Sequence, residues 1–148
     1  MSSFEEKKAA LFRQKETALI QYKTELEQWI QVNYPSAKKT ESGLYIAIQK
    51  EGNGKTPKVR EKISVHYTGS FQNGKVFDSS VKRGKPFSFM VGIGNVIKGW
   101  DEGLLTLSVG TKAVLILPYF LGYGEGGSPP VIPAKSTLVF EVELLSIA

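Results

Sequence analysis

The chain has 148 residues, 41% of them hydrophobic, enough for one well-buried domain with an appendage and too few for two full domains. It holds no cysteine and one histidine, which excludes disulfides and thiolate metal sites and argues against a resident metal. Its net charge of +5, from 19 basic and 14 acidic residues, is too mild a bias to mark a nucleic-acid binder.

In chain order, Ser3 to Val32 contain no Gly or Pro and are rich in Ala, Leu, Glu, Gln and Lys. They predict one long helix, with Glu5 and Glu6 in its first turn. Phe12, Leu19 and Leu26 recur every seven residues, Tyr22 and Trp29 fill the intervening positions, and Leu11, Ile20 and Ile30 widen the stripe. Such a face suits packing on the chain's own domain and pairing with a second copy equally well. Pro35 and Ser36 close the helix, and Ala37 to Ser42 read as a linker. The start of the chain carries charges where a signal peptide needs its apolar run, and no stretch approaches the roughly 20 apolar residues of a membrane span. A cytoplasmic protein is expected, or a periplasmic one if a leader has been removed.

From Gly43 the period changes from helical to alternating. Leu44, Ile46 and Ile48 alternate with Tyr45, Ala47 and Gln49 to give a half-buried strand. Gly52, Gly54 and Pro57 mark a loop, and Lys55, Lys58, Arg60 and Lys62 beside it lack the interleaved aromatics that would stack bases. Ile63, Val65 and Tyr67 then alternate with Ser64, His66 and Thr68. Asn73-Gly74 between Phe71 and Val76 signals a tight hairpin. A short strand through Phe87 and Phe89 follows. In Val91 to Gly103 two glycines imply a sharp turn, after which Ile97, Trp100 and Leu104 share one face of a short helix. Lys112 to Leu117 suits a strand buried on both faces. Tyr119 to Pro133, with four glycines and three prolines, reads as a long loop without regular structure. Leu138, Phe140, Val142 and Leu144 form a last alternating strand. The class is α+β: an antiparallel sheet crossed by one short helix and preceded by one long N-terminal helix, with residues 1–42 as helix and linker and 43–148 as the domain.

Nucleophilic catalysis finds no support. There is no Gly-x-Ser-x-Gly elbow and no cysteine, and His66 lies mid-strand, where it reads as a satisfied strand histidine. Gly92-x-Gly94 lacks both the third glycine and the βαβ context of a dinucleotide site. What remains is an aromatic set: Tyr67, Phe77, Phe87, Phe89, Trp100, Tyr123 and Phe140. It reads as plain core or as the lining of one concavity. Two details favour the concavity: Tyr and Trp tips need polar partners, and Asp78 sits directly beside Phe77.

VHYTG (Val65 to Gly69), FDSS (Phe77 to Ser80), KPFSFMVG (Lys85 to Gly92), VIKGWDEG (Val96 to Gly103), YGEGGSPPVIP (Tyr123 to Pro133) and TLVFEVELL (Thr137 to Leu145) occur in order from about Gly43 to the C-terminus. Together they resemble the FKBP-type peptidyl-prolyl isomerases. The resemblance implies a bent antiparallel sheet wrapped around a short helix, and isomerisation of X-Pro bonds without a cofactor. It implies a pocket with Trp100 as floor and Tyr67, Phe77, Phe87, Val96, Ile97 and Phe140 as walls. Asp78 and Tyr123 would stand on the rim, with Arg83 near Asp78 and Val131 and Ile132 on the long loop. The Ile97 N–H would donate to a substrate carbonyl, Tyr123 would assist, and Asp78 would orient the rim without transferring a proton. Implied partners are proline-containing polypeptides and macrolide inhibitors. The helix from Ser3 is similar in position to the dimerising extension of the macrophage infectivity potentiator group. A docking or chaperone module with weak catalysis is the alternative reading.

Overall fold

The computed structural model describes residues 3–148. Two compact units emerge, one ending at Pro35 and the other running from Ser36 to Ala148. The first is α1, Ser3–Asn33, in which no glycine or proline interrupts the hydrogen-bond ladder. Its end is closed by Tyr34 N–H donating to the Ile30 carbonyl (2.7 Å) and by the Asn33 amide donating to the Trp29 carbonyl (2.9 Å). Phe4, Leu11 and Phe12, which share one side of the first turns, are 74%, 52% and 63% exposed.

The second unit is built on a seven-stranded sheet, antiparallel at every pairing. Its strands are β1 (Lys38–Lys39), β2 (Tyr45–Lys50), β3 (Lys62–Ser70), β4 (Val76–Ser79), β5 (Phe87–Met90), β6 (Lys112–Leu117) and β7 (Leu138–Ile147). They lie in the order β1-β2-β6-β7-β3-β4, with β5 also paired to β3. β3 is the hinge of this order, because β7 occupies one edge while β5 and β4 share the other. Alternation decides which side chains face the core: Ile63, Val65 and Tyr67 are buried, and Ser64, His66 and Thr68 are half-buried on the opposite face. Ala113 to Leu117 are buried on both faces, as their apolar run predicts.

The helix α3, Lys98–Leu104, lies against the sheet, with Trp100 and Leu104 in the core. Two glycines make that approach possible. A Cβ on Gly99 would stand 2.3 Å from Leu117 Cγ, and one on Gly103 would stand 2.9 Å from Leu115 Cδ1. Spaced one turn apart, they turn one face of the helix into backbone that seats directly on the leucines of β6.

Four expectations need correction. The segment taken as a linker contains β1: Gly43, in the left-handed region at φ +100°, turns the chain back so that Lys38 pairs with Ile46 and Lys39 with Tyr45. In β2, Tyr45 and Ala47 are buried while Ile48 is 45% exposed, so within the strand the set of side chains opposite to the expected one faces the core. A second short helix, α2 (Ser80–Arg83), follows β4; the Ser79 hydroxyl accepts from Lys82 N–H at its start, and Gly84 ends it at φ +70°. The long loop opens with a 3-10 helix, Tyr119–Leu121, and Ser128 forms a bridge with Ile132.

Candidate active site

β3, β4, β5, β7 and the turn into α3 converge on a cavity of about 420 Å³. Tyr67, Phe77, Asp78, Phe87, Asn95, Val96, Ile97, Trp100, Tyr123 and Phe140 line it. Trp100 is the floor, only 4% exposed, and meets the others edge-on: Tyr67 at 4.9 Å between centroids and 78°, and Phe140 at 5.2 Å and 84°. Phe140 meets Phe77 in turn at 5.7 Å and 82°. Edge-to-face contacts satisfy the ring quadrupoles and leave ring faces free to bound a void. The Trp100 Nε1–H is buried with no protein partner. That is a cost which well-packed cores avoid and functional sites tolerate. Gly69 on β3 makes room for the walls, since a Cβ there would stand 2.7 Å from both Phe77 Cζ and Phe140 Cε1.

The rim is polar. The Tyr67 hydroxyl donates to Asp78 Oδ2 (2.5 Å) and accepts from Arg83 Nη2 (3.0 Å), while Arg83 Nη1 pairs with Asp78 Oδ1. Burial pushes the Tyr67 phenol above its usual range, and the bond to Asp78 adds to that. Burial alone would raise Asp78, but the Tyr67 and Arg83 donors outweigh it and hold the carboxyl below the usual carboxylate range. At neutral pH the trio is therefore a neutral phenol between an ion pair, with no group poised to exchange a proton.

Ile97 stands just before α3 with extended backbone (φ −60°, ψ 150°), and its carbonyl accepts from Trp100 and Asp101 N–H at 3.0 and 3.2 Å. Among the described residues its own N–H has no hydrogen-bond partner, and neither has the Tyr123 hydroxyl, on a residue 43% exposed. Two donors thus stand unpaired on the lining of an aromatic cavity.

The sequence-predicted residues largely meet here. Arg83 does not line the cavity but holds two residues that do. Val131 and Ile132 are not part of the lining: the bridge to Ser128 turns Ile132 into the core at 4% exposure and leaves Val131 at 57%. Asn95, which sequence reasoning passed over, does line it; its place immediately before Val96 was the available signal. His66 lies on the other face of β3, its Nδ1 2.8 Å from the Ser80 hydroxyl, which also accepts from Tyr67 N–H. No nucleophile–base pair lines the cavity, and among the described residues no three His, Cys, Asp or Glu cluster to hold a metal.

An aromatic hollow with unpaired donors on its lining and no titrating catalyst is suited to receive an apolar ring beside a carbonyl. Residues 53–145 match the family described as FKBP-type peptidyl-prolyl cis-trans isomerase, and the chain belongs to that family. It is 54% identical over 106 residues to FK506-binding protein 1 of Rhizopus delemar, covering 71% of this chain and 98% of the relative. It is 46% identical over 118 residues to FK506-binding protein 2 of Dictyostelium discoideum, covering 78% and 89%. Among solved structures, "Crystal structure of AtFKBP13" superposes with a TM-score of 0.73 at 38% identity, covering 76% of this chain and 98% of that one. The chain is a peptidyl-prolyl cis-trans isomerase with the FKBP fold.

Proposed function

We propose that the cavity around Trp100 is where the isomerase turns X-Pro bonds, with the proline ring on the indole and the preceding carbonyl at the Ile97 N–H. Twisting a peptide bond costs about 18–20 kcal/mol because the C–N bond loses its double-bond character. The cis and trans forms of X-Pro lie within about 1 kcal/mol, so only the barrier has to change. A catalyst must then bind the twisted amide better than either planar form. The hollow formed by Tyr67, Phe77, Phe87, Val96 and Phe140 excludes water from the carbonyl, removing hydrogen bonds that favour the planar, charge-separated amide. The Ile97 N–H and the Tyr123 hydroxyl hold the carbonyl oxygen while the proline ring stays fixed. Asp78, through Tyr67 and Arg83, orients the rim and transfers no proton. The observation that carries this reading is the unpaired Ile97 N–H on the lining of an otherwise apolar cavity.

The remaining assignments rest on the same site and on the relatives. Residues 43–148 act as the isomerase domain, with β1 added at the edge of its sheet, and the helix that ends before Pro35 is the appendage. Macrolides of the kind named for the FK506-binding relatives would enter the same cavity and compete with substrate. No described helix is long and apolar enough to cross a membrane; with close FK506-binding protein 1 relatives, a cytoplasmic location is the favoured reading. The exposed Phe4, Leu11 and Phe12 support self-association through α1.

A protease-free isomerisation assay on a proline peptide tests the site. Phe77→Ala, which empties one half-buried wall, is expected to lower kcat/KM roughly a hundredfold by letting the bound amide shift. His66→Gln is expected to keep most of the rate. An inactive but folded His66→Gln enzyme would sink the account, because it would require acid–base chemistry.

A further inference from the structure

We infer that Asp101 is a positioning residue for this reaction: its carboxylate fixes the turn that delivers Ile97 to the cavity. The inference rests on the reading of the Ile97 N–H as the donor to the substrate carbonyl. The turn runs from the end of β5 into α3 and is pinned at both ends. Val91 N–H donates to the Glu61 carbonyl at 3.1 Å, and the Val91 carbonyl accepts from Arg60 at 2.8 Å. At the other end the Ile97 carbonyl accepts the first N–H groups of α3.

Between those ends, among the described residues, the backbone of residues 92–96 makes two hydrogen bonds, and both go to one side chain. Gly92 N–H donates to Asp101 Oδ1 at 2.7 Å, and Gly94 N–H donates to Asp101 Oδ2 at 2.8 Å. Two N–H groups two residues apart converge on one carboxylate here because both glycines adopt left-handed backbone, at φ +88° and +83°. Hydrogen bonds to an ionised acceptor are about twice as strong as neutral ones. Asp101 sits beside Trp100 in the first turn of α3. It therefore ties the wall formed by Asn95, Val96 and Ile97 to the helix that carries the floor. Asp101 does not line the cavity, so it acts through the turn and touches no substrate. Glu102, its neighbour, points elsewhere and receives the Ser42 hydroxyl.

The full-length Asp101→Asn variant keeps the side-chain shape but sets an NH2 group against one of the two backbone N–H donors. The expected result is about a tenfold fall in kcat/KM for an X-Pro peptide. The Gly92 and Gly94 amides should lose protection from hydrogen exchange, while the circular dichroism spectrum stays unchanged. Asp101→Glu, which retains both oxygens, should recover most of the rate, and Glu102→Gln should leave it unaltered. Gly94→Ala perturbs the turn from its other side: no atom lies within 4 Å of the added Cβ, but the left-handed backbone disfavours alanine. It should reproduce the loss. A folded Asp101→Asn enzyme with loosened glycine amides and a wild-type kcat/KM would overturn the inference. So would an unfolded Asp101→Asn beside a folded, fully active Gly94→Ala. Failure of the underlying site reading shows separately, as a Phe77→Ala enzyme turning over at the wild-type rate.

Discussion

Tyr67 works at both ends of its side chain, its ring edge against Trp100 and its hydroxyl between Asp78 and Arg83. Tyr67→Phe keeps the first contact and deletes the second. It is expected to cost about 1 kcal/mol of stability, the usual net worth of a hydrogen bond, and to lower kcat/KM severalfold by freeing the Asp78 rim. Chemical denaturation and the peptide assay on one preparation would separate the two effects. The same trio sets the pH response. Asp78 is depressed in the folded state, so its contribution is fully present above the ordinary carboxylate value of about 4 and is lost as pH falls through its lower folded value. Tyr67 is raised, so its contribution is present below about pH 10 and is lost as pH climbs beyond. Between those limits neither group titrates, and kcat/KM should stay flat from about pH 5 to 9; a steep limb within that range would contradict the proton-free mechanism. The aromatic set was visible in the sequence, but its gathering into a pocket was implied only by the family resemblance, because the rings stand on different strands, a helix and a loop that no local pattern joins. Asp101 was not legible, because its role depends on the backbone of residues 92–94, whose left-handed bend brings two N–H groups to it only in three dimensions.

The contact between α3 and β6 decides whether the floor of the pocket lies where the walls can meet it. Gly99→Ala would drive a methyl into Leu117 at the 2.3 Å position of its Cβ, and neither helix nor sheet interior has slack to absorb it. Overpacking of this kind typically costs about 1–3 kcal/mol, and a displaced α3 would carry Trp100 with it. The expected outcome is a lower thermal midpoint together with a lower kcat/KM; an enzyme unchanged in both would mean that α3 floats on the sheet. Elements of strong pattern were readable in the chain itself: α1, β3 and β7 stand where their spacing puts them, and β6 where its unbroken apolar run does. The elements that escaped are short and owe their existence to neighbours. β1 is two residues that become a strand only by pairing with β2 across the Gly43 turn. α2 is one turn held between the Ser79 cap and Gly84. The inward turn of Ile132 likewise depends on a single bridge to Ser128 that no local propensity encodes.

For the whole chain, the open question is what α1 adds to an isomerase whose matched region begins only at residue 53. The helix is 31 residues long, whereas isolated helices need only about 12–15 residues to become marginally stable in water. Its N-terminal half nevertheless shows Phe4, Leu11 and Phe12 to solvent, three large apolar side chains on adjacent positions of one face. Scattered apolar residues are normal on a surface, but a row along one helix is the pattern by which helices pair. Two copies joined along this row would set two proline pockets in one particle and raise the effective concentration of the second at any chain bound by the first. Light scattering of the full-length protein is therefore expected to give twice the 16.3 kDa of one chain at micromolar concentration. Leu11→Glu with Phe12→Glu should return it to one. The double variant should keep the wild-type rate on a short peptide, which needs a single pocket, and lose rate on an unfolded protein with several prolines. A wild-type mass of one chain across that concentration range would reject self-association and leave the exposed row for another partner.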